Sequence, residues 1–261
     1  MFGWWRERKR RRMLAAPAPE VWNEVLARLP FVGALERGEQ ERLLAIARII
    51  ASEKRWEACG GLELTEEMPV WVSLQAALLL LGLEHDHFRA VESIFIYPSA
   101  YLRPGSRRPE ADAMEMILGE AWLQGPMVLA WDATQRGALH PHDGRNLVLH
   151  EFAHKLDMMD GLIDGTPPLA RREDYARWRE VCTREYARLL EDVEKGRKPV
   201  LDRYGATNVG EFFAVATETF FEKPEKLRRR LPELYSTLAE YYRQDPAARP
   251  RVARGREDRD G

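Results

Sequence analysis

The chain has 261 residues, 45% of them hydrophobic and 31% charged, with 40 Lys and Arg against 42 Asp and Glu for a formal net charge of −2. This is the balance of an ordinary soluble globular protein, long enough for one large or two small domains, and it gives no case for bulk nucleic-acid binding. Two cysteines, Cys59 and Cys182, are too few for a disulfide framework or a thiolate zinc cluster, and they fit a reducing cytoplasm.

The chain opens with "MFGWWRERKRRRMLAAPAPE". No apolar core of signal-peptide length follows the basic run Arg6 to Arg12, so this is not read as a secretory signal. Phe2, Trp4 and Trp5 beside that run could touch an anionic membrane surface. The simpler reading, adopted here, is a disordered, solvated tail over residues 1–16. Beyond it, Trp22, Val25, Leu26 and Leu29 recur at helical spacing, as do Leu43, Ala47 and Ile50. "VWVSLQAALLLLGL", Val70 to Leu83, contains Ser73 and Gln75 and falls short of the roughly 20 apolar residues that span a bilayer. It predicts a buried core helix, with His85 and His87 at its solvated end, and no transmembrane segment is evident. Residues 17–90 therefore read as mostly helical.

"ESIFIYP" then changes character: β-branched and aromatic, stopped by Pro98, it predicts a strand. Pro104, Gly105 and Pro109 mark a loop, and "MEMILGEAW" and "MVLAW", parted by Gly125-Pro126, predict two more strands of a small sheet. The loop "LHPHDG" follows, with His140 and His142 read as loop residues rather than ligands. From about Leu169 to Asp245 the pattern is helical again, and residues 247–261, charged and nearly without apolar side chains, read as a disordered tail. Helices, a short sheet and more helices argue an α+β fold. They form one domain over 17–246, with its second part at 91–246.

"NLVLHEFAHKLD", Asn146 to Asp157, holds two of the chain's six histidines. Asp143 is a good N-cap for a helix starting near Gly144, and Gly161 is a natural stop beyond Asp160. On that helix His150 and His154 lie one turn apart on one face and can reach one metal ion. Glu151 sits about 100° further round, able to miss the metal yet reach a water on it. This is the logic of H-E-x-x-H, with the Glu as general base. A chance match is on the order of a one-in-a-hundred event for this composition.

A catalytic zinc needs a third protein ligand and an open position. A third ligand just downstream would need a glycine at position 157 to turn the chain. Asp157 stands there, so Asp160 is a poor candidate, while Asp157 suits an imidazole N–H as a supporting partner. A later segment, "DRYGATNVGEFFAVATETFFEKP", offers glutamates instead. Asn208 is a plausible N-cap, which puts Glu211 in the first turn, where it could merely close a capping box. Glu218, two turns further along the same face, is the rival ligand, and pattern alone prefers neither.

"HEFAHKLD" followed by "YGATNVGEFFAVATETFFEKP" resembles the Mlc titration factor A family of bacterial cytoplasmic zinc metallopeptidases. The likeness runs from about Trp22 to Asp245 and includes "GLEL" at Gly61, "IFIYP" at Ile94, "QGPMVLAW" at Gln124 and "YYRQDP". The second block also resembles the peptidase domain of anthrax lethal factor, where a Tyr precedes the zinc-binding Glu by seven residues; the matching pair here is Tyr204 and Glu211.

The resemblance implies a zincin-like fold with a helical N-terminal part, a small mixed sheet, an edge strand ("MVLAW") at the cleft and an HExxH helix. It implies Zn²⁺ held by His150, His154 and Glu211, with Glu218 beside them or at the surface. Glu151 is then the general base, and Tyr204 an oxyanion donor for a peptide or protein substrate, with aminopeptidase-like action as one outcome. The family also includes a member known for binding a sugar-responsive transcriptional repressor and keeping it off DNA. Sequestration of such a partner is therefore the alternative function, one that would survive loss of Glu151.

Overall fold

A computed structural model describes residues 2–99 and 126–250. The first element is a helix the sequence did not announce, α1 (Phe2–Ala15). The basic run is thus not a disordered tail. Arg10 is buried against the body of the protein, with Nε 2.7 Å from Glu53 Oε1 and Nη2 2.6 Å from Asp86 Oδ1. Arg48 donates to the carbonyls of Met13 and Ala16, satisfying the helix end. Charge pairing, rather than an apolar stripe, fastens this helix, which is why hydrophobic periodicity gave no sign of it.

Helices α2 (Glu20–Arg28) and α3 (Arg37–Glu53) form where the apolar spacing predicts, α3 behind a capping box between Glu36 and Glu39. The apolar run after Pro69 becomes α4 (Glu67–Leu79), in which Met68 and every residue from Val70 to Leu79 are buried. A helix that is apolar all round belongs inside the fold, and one of its two polar residues ties it to a neighbour. Gln75 donates to the carbonyls of Trp71 and Thr134, tying α4 to the next helical layer.

Three strands make the sheet, in the order β1 (Arg55–Ala58), β2 (Ser93–Tyr97), β3 (Met127–Ala130). All described pairs are parallel, with Trp56 opposite Ile94 and Ile94 opposite Met127, where a mixed sheet was expected. Parallel neighbours need a crossover, and α4 lies on the one between β1 and β2. β1 was not predicted: four residues with alternating exposure leave little pattern to read. The expected strand "MEMILGEAW" lies outside the described residues.

"MVLAW" is a strand only to Ala130. Trp131 begins α5 (Trp131–Leu139), an unpredicted helix whose first turn is held by Asp132 accepting the Ala133 N–H. The later helices are α6 (Leu147–Asp157), α7 (Asp174–Glu194), α8 (Val209–Glu222), α9 (Pro224–Arg230) and α10 (Pro232–Tyr242). Phe152 of α6 packs edge-on to Phe88, and Trp178, Phe213 and Tyr241 lock α7, α8 and α10 together. The result is mostly helical with a small sheet, an α+β fold. No helix among the described residues is long and apolar enough to cross a membrane.

Candidate metal centre

Two helices carry the candidate residues, and the ends of both are set by local chemistry. α6 is capped by Asn146, whose side chain accepts the Leu149 N–H at 3.0 Å. Asp143, the expected cap, is spent one turn earlier on the Arg145 N–H, at a bend where Gly144 takes a φ of +76°. α8 is capped by Asn208, whose side chain accepts the Glu211 N–H, as its sequence predicts. The capping box is only half made. The Glu211 carboxylate turns inward instead of back to Asn208.

It turns toward the histidines. His150 Nε2 lies 2.9 Å from Glu211 Oε2 and 3.2 Å from His154 Nε2, and His154 Nε2 is 3.4 Å from the same carboxylate oxygen. All three residues are buried, and their ligand-type atoms lie within 4.8 Å of one another. The other face of His150 is held by Glu218, whose Oε1 is 2.7 Å from Nδ1. That carboxylate's second oxygen accepts the Asn146 N–H at the start of α6, where the helix dipole favours negative charge.

With the proton of His150 on Nδ1, donated to Glu218, its Nε2 presents a lone pair to a second imidazole nitrogen and a carboxylate oxygen. Three electron-rich atoms converging in a buried space require a positive charge between them. Two His and one Glu with such a supporting carboxylate are a donor set that fits zinc. Without a metal, that charge is a second proton on the His150 ring itself. Burial favours a neutral His150 ring, but the Glu218 and Glu211 carboxylates outweigh it and raise its pKa well above the ordinary value. Burial pushes the Glu211 carboxyl up, yet hydrogen bonds from His150 and His154 bring it down to about 2.

Glu151 is buried on the same helix, with Oε1 lacking a hydrogen-bond partner among the described residues. Burial raises its pKa, opposed by His150 and His154. A buried carboxylate with an idle oxygen and a raised pKa has the character of a general base. Tyr204 stands beside the centre, its ring centroid 5.9 Å from that of His150. Its turn is held by Asp202, which accepts the Tyr204 N–H and an ion pair from Arg145, in the loop entering α6. Neither Arg145 nor Asp202 stood out in the sequence, because their pairing spans 57 residues.

Asp157 behaves otherwise than expected. Its Oδ2 accepts the Gly165 N–H at 3.0 Å, and no hydrogen bond to an imidazole is described. Gly165 has φ +73°, and a Cβ there would meet the Val209 carbonyl oxygen at 2.4 Å, so this glycine lets the chain pass close under the start of α8. Asp157 thus fastens a loop, and the carboxylate that grips an imidazole is Glu218. Burial raises the Asp157 pKa to about 6 despite backbone hydrogen bonds that lower it. Asp160, His140 and His142 are exposed and outside the cluster, as read from the sequence.

Comparison with known proteins gives a consistent picture. The family described as glucose-regulated metallo-peptidase M90 matches residues 3–243. An uncharacterized protein of Synechocystis sp. is 36% identical over 248 residues, covering 93% of this chain and 89% of the relative. Proteins named Mlc titration factor A are 34% identical. That of Serratia proteamaculans covers 87% of this chain and 88% of its own length, and that of Yersinia pestis 87% and 86%.

Proposed function

Because the chain belongs to the glucose-regulated metallo-peptidase M90 family, we propose that it hydrolyses peptide bonds at a zinc ion held by His150, His154 and Glu211. The observation that carries this reading is the buried convergence of two imidazole nitrogens and one carboxylate oxygen, the donor set of a zinc site. Zinc bound there supplies Lewis acidity, lowering the pKa of a water toward about 7.

The chain's own groups do the rest. Glu151 takes the proton of the attacking water and passes it to the leaving amine. The Tyr204 hydroxyl donates to the oxyanion of the tetrahedral intermediate. Glu218 keeps His150 in the tautomer that offers Nε2. An extended substrate would add to the β3 edge as a further strand, held by main-chain hydrogen bonds. We place this activity in the cytoplasm, in one zincin-like domain that includes α1 and runs to about residue 246. Both cysteines are free, and the family match is continuous, which fits that placement.

Elemental analysis of the purified protein beside His154→Ala tests the metal: about one zinc per chain is expected, and much less in the variant. No metal in either, with both folded and zinc supplied, would defeat the proposal. Glu151→Gln should then retain zinc while losing nearly all hydrolysis of peptide substrates.

The relatives' name supports a second reading, in which the chain sequesters a Mlc-like sugar-responsive repressor and hydrolysis is secondary. The two part at Glu151. Repressor capture by Glu151→Gln at wild-type strength would separate binding from catalysis, whereas no capture by either protein leaves hydrolysis as the function.

A further inference from the structure

The outward face of α1 has no role in the metal centre. The inward face, Arg6, Arg10, Met13 and Leu14, is wholly or half buried, and Arg10 is pinned by Glu53 and Asp86. That pinning fixes which side of the helix looks out. Trp4 and Trp5 are 55% and 61% exposed, with their rings in edge contact 5.0 Å apart. Beside them Arg8, Lys9, Arg11 and Arg12 are exposed, and the Arg8 guanidinium lies over the Trp4 ring at 5.3 Å. Trp4, Arg8, Arg11 and Arg12 border one shallow cavity of about 470 Å³.

The chain's formal charge of −2 hides a segregation. Phe2–Ala15 holds six Arg and Lys against one Glu, a net +5, which leaves −7 for the remainder. Two exposed indoles on a cationic helix are unfavourable in water. They suit a place where the ring can sit at headgroup level while the neighbouring guanidiniums meet phosphate.

We propose that α1 is a docking face for an anionic phospholipid surface, holding the folded protein peripherally against a membrane. A flat anionic surface touches only this face. A nucleic acid long enough to extend past it would meet the −7 of the remaining chain, which disfavours that partner. Arg10 contributes little to the lipid side, since its charge is already taken up by Glu53 and Asp86. The helix is held from behind, so docking needs no folding step and costs little ordering entropy.

Co-sedimentation of the full chain with vesicles tests this, comparing phosphatidylcholine alone with about 30% phosphatidylglycerol in phosphatidylcholine. Binding to the anionic vesicles only, weakening as salt shortens the Debye length, is expected. Arg8→Gln/Arg11→Gln/Arg12→Gln should weaken partitioning by about a hundredfold, at roughly fivefold for each charge. Trp4→Ala/Trp5→Ala should also lose most of the bound fraction although it leaves charge unchanged, with circular dichroism showing both variants folded. Absence of binding to anionic vesicles would overturn the proposal. So would vesicle binding indifferent to the Trp pair, or tighter retention on a single-stranded oligonucleotide than on vesicles, either of which would mark the face as a general polyanion site.

Discussion

Glu218 touches His150 and the Asn146 N–H but makes no contact to His154, so its loss should loosen the centre without removing a ligand. Glu218→Ala is expected to lower zinc affinity about 10–100-fold, as for other carboxylates behind a metal-binding imidazole. Glu211→Ala should cost more, and competition with a chromogenic chelator ranks the two; the reverse ranking would make Glu218 the ligand. The raised His150 pKa sets the sign of a pH effect. Without metal the ring keeps a proton at pH values where free histidine has lost it, so zinc must displace that proton. Zinc affinity should fall as pH falls, with proton release on binding measurable by calorimetry in buffers of different ionisation enthalpy. Away from the site, burial and then Glu185 push the Cys182 thiol up to about 12, so alkylation at Cys182 should be far slower than for an ordinary exposed thiol near pH 8. At this scale the sequence was legible where chemistry is local: His150, Glu151 and His154 share one helix and their spacing speaks for itself. Glu211 and Glu218 share a face too, and which reaches the imidazole Nε2 atoms depends on how α8 docks on α6, which no spacing encodes. The hydrogen bond that Asp157 makes, to the Gly165 N–H, comes from a loop eight residues on and leaves no trace in the motif's spacing.

Among the elements, α2, α3, α4, α6 and the helices after Leu169 follow apolar periodicity and caps, and all were readable. α1, β1 and α5 were not. β1 alternates only between exposed and half-buried residues, and α5 follows a strand without a break, while α1 is attached by ion pairs that leave no hydrophobic trace. That attachment makes its own prediction. Arg10→Ala removes the guanidinium shared by Glu53 and Asp86, of which Asp86 is half exposed. Solvent screening limits the cost to about 1–2 kcal/mol. The loss should be local, seen as faster amide exchange across Phe2–Ala15 with little change in the α6 and α8 amides. Equal protection of α1 in both proteins would show that the backbone contacts from Arg48 suffice to hold it.

For the whole molecule, an ion bound only by the folded state adds to its stability. At zinc a thousandfold above its dissociation constant the gain is about 4 kcal/mol, on the order of 10 °C in melting temperature for a chain of this size. Stripping the metal with a chelator should lower Tm by that order, and His154→Ala should be insensitive to the chelator. The architecture also bears on how the protein comes to be made. Glu211 and Glu218 stand 61 and 68 residues beyond His150, and α8 is itself packed by Phe213 against Trp178 and Tyr241. A ribosome that has finished the HExxH helix has therefore released only part of a centre. The last of the three proposed ligands emerges some sixty residues later, and Tyr241, which braces the packing of its helix, later still. On the proposed reading, a hydrolase built in this order stays inert until the chain beyond Glu211 has been made and folded onto α6.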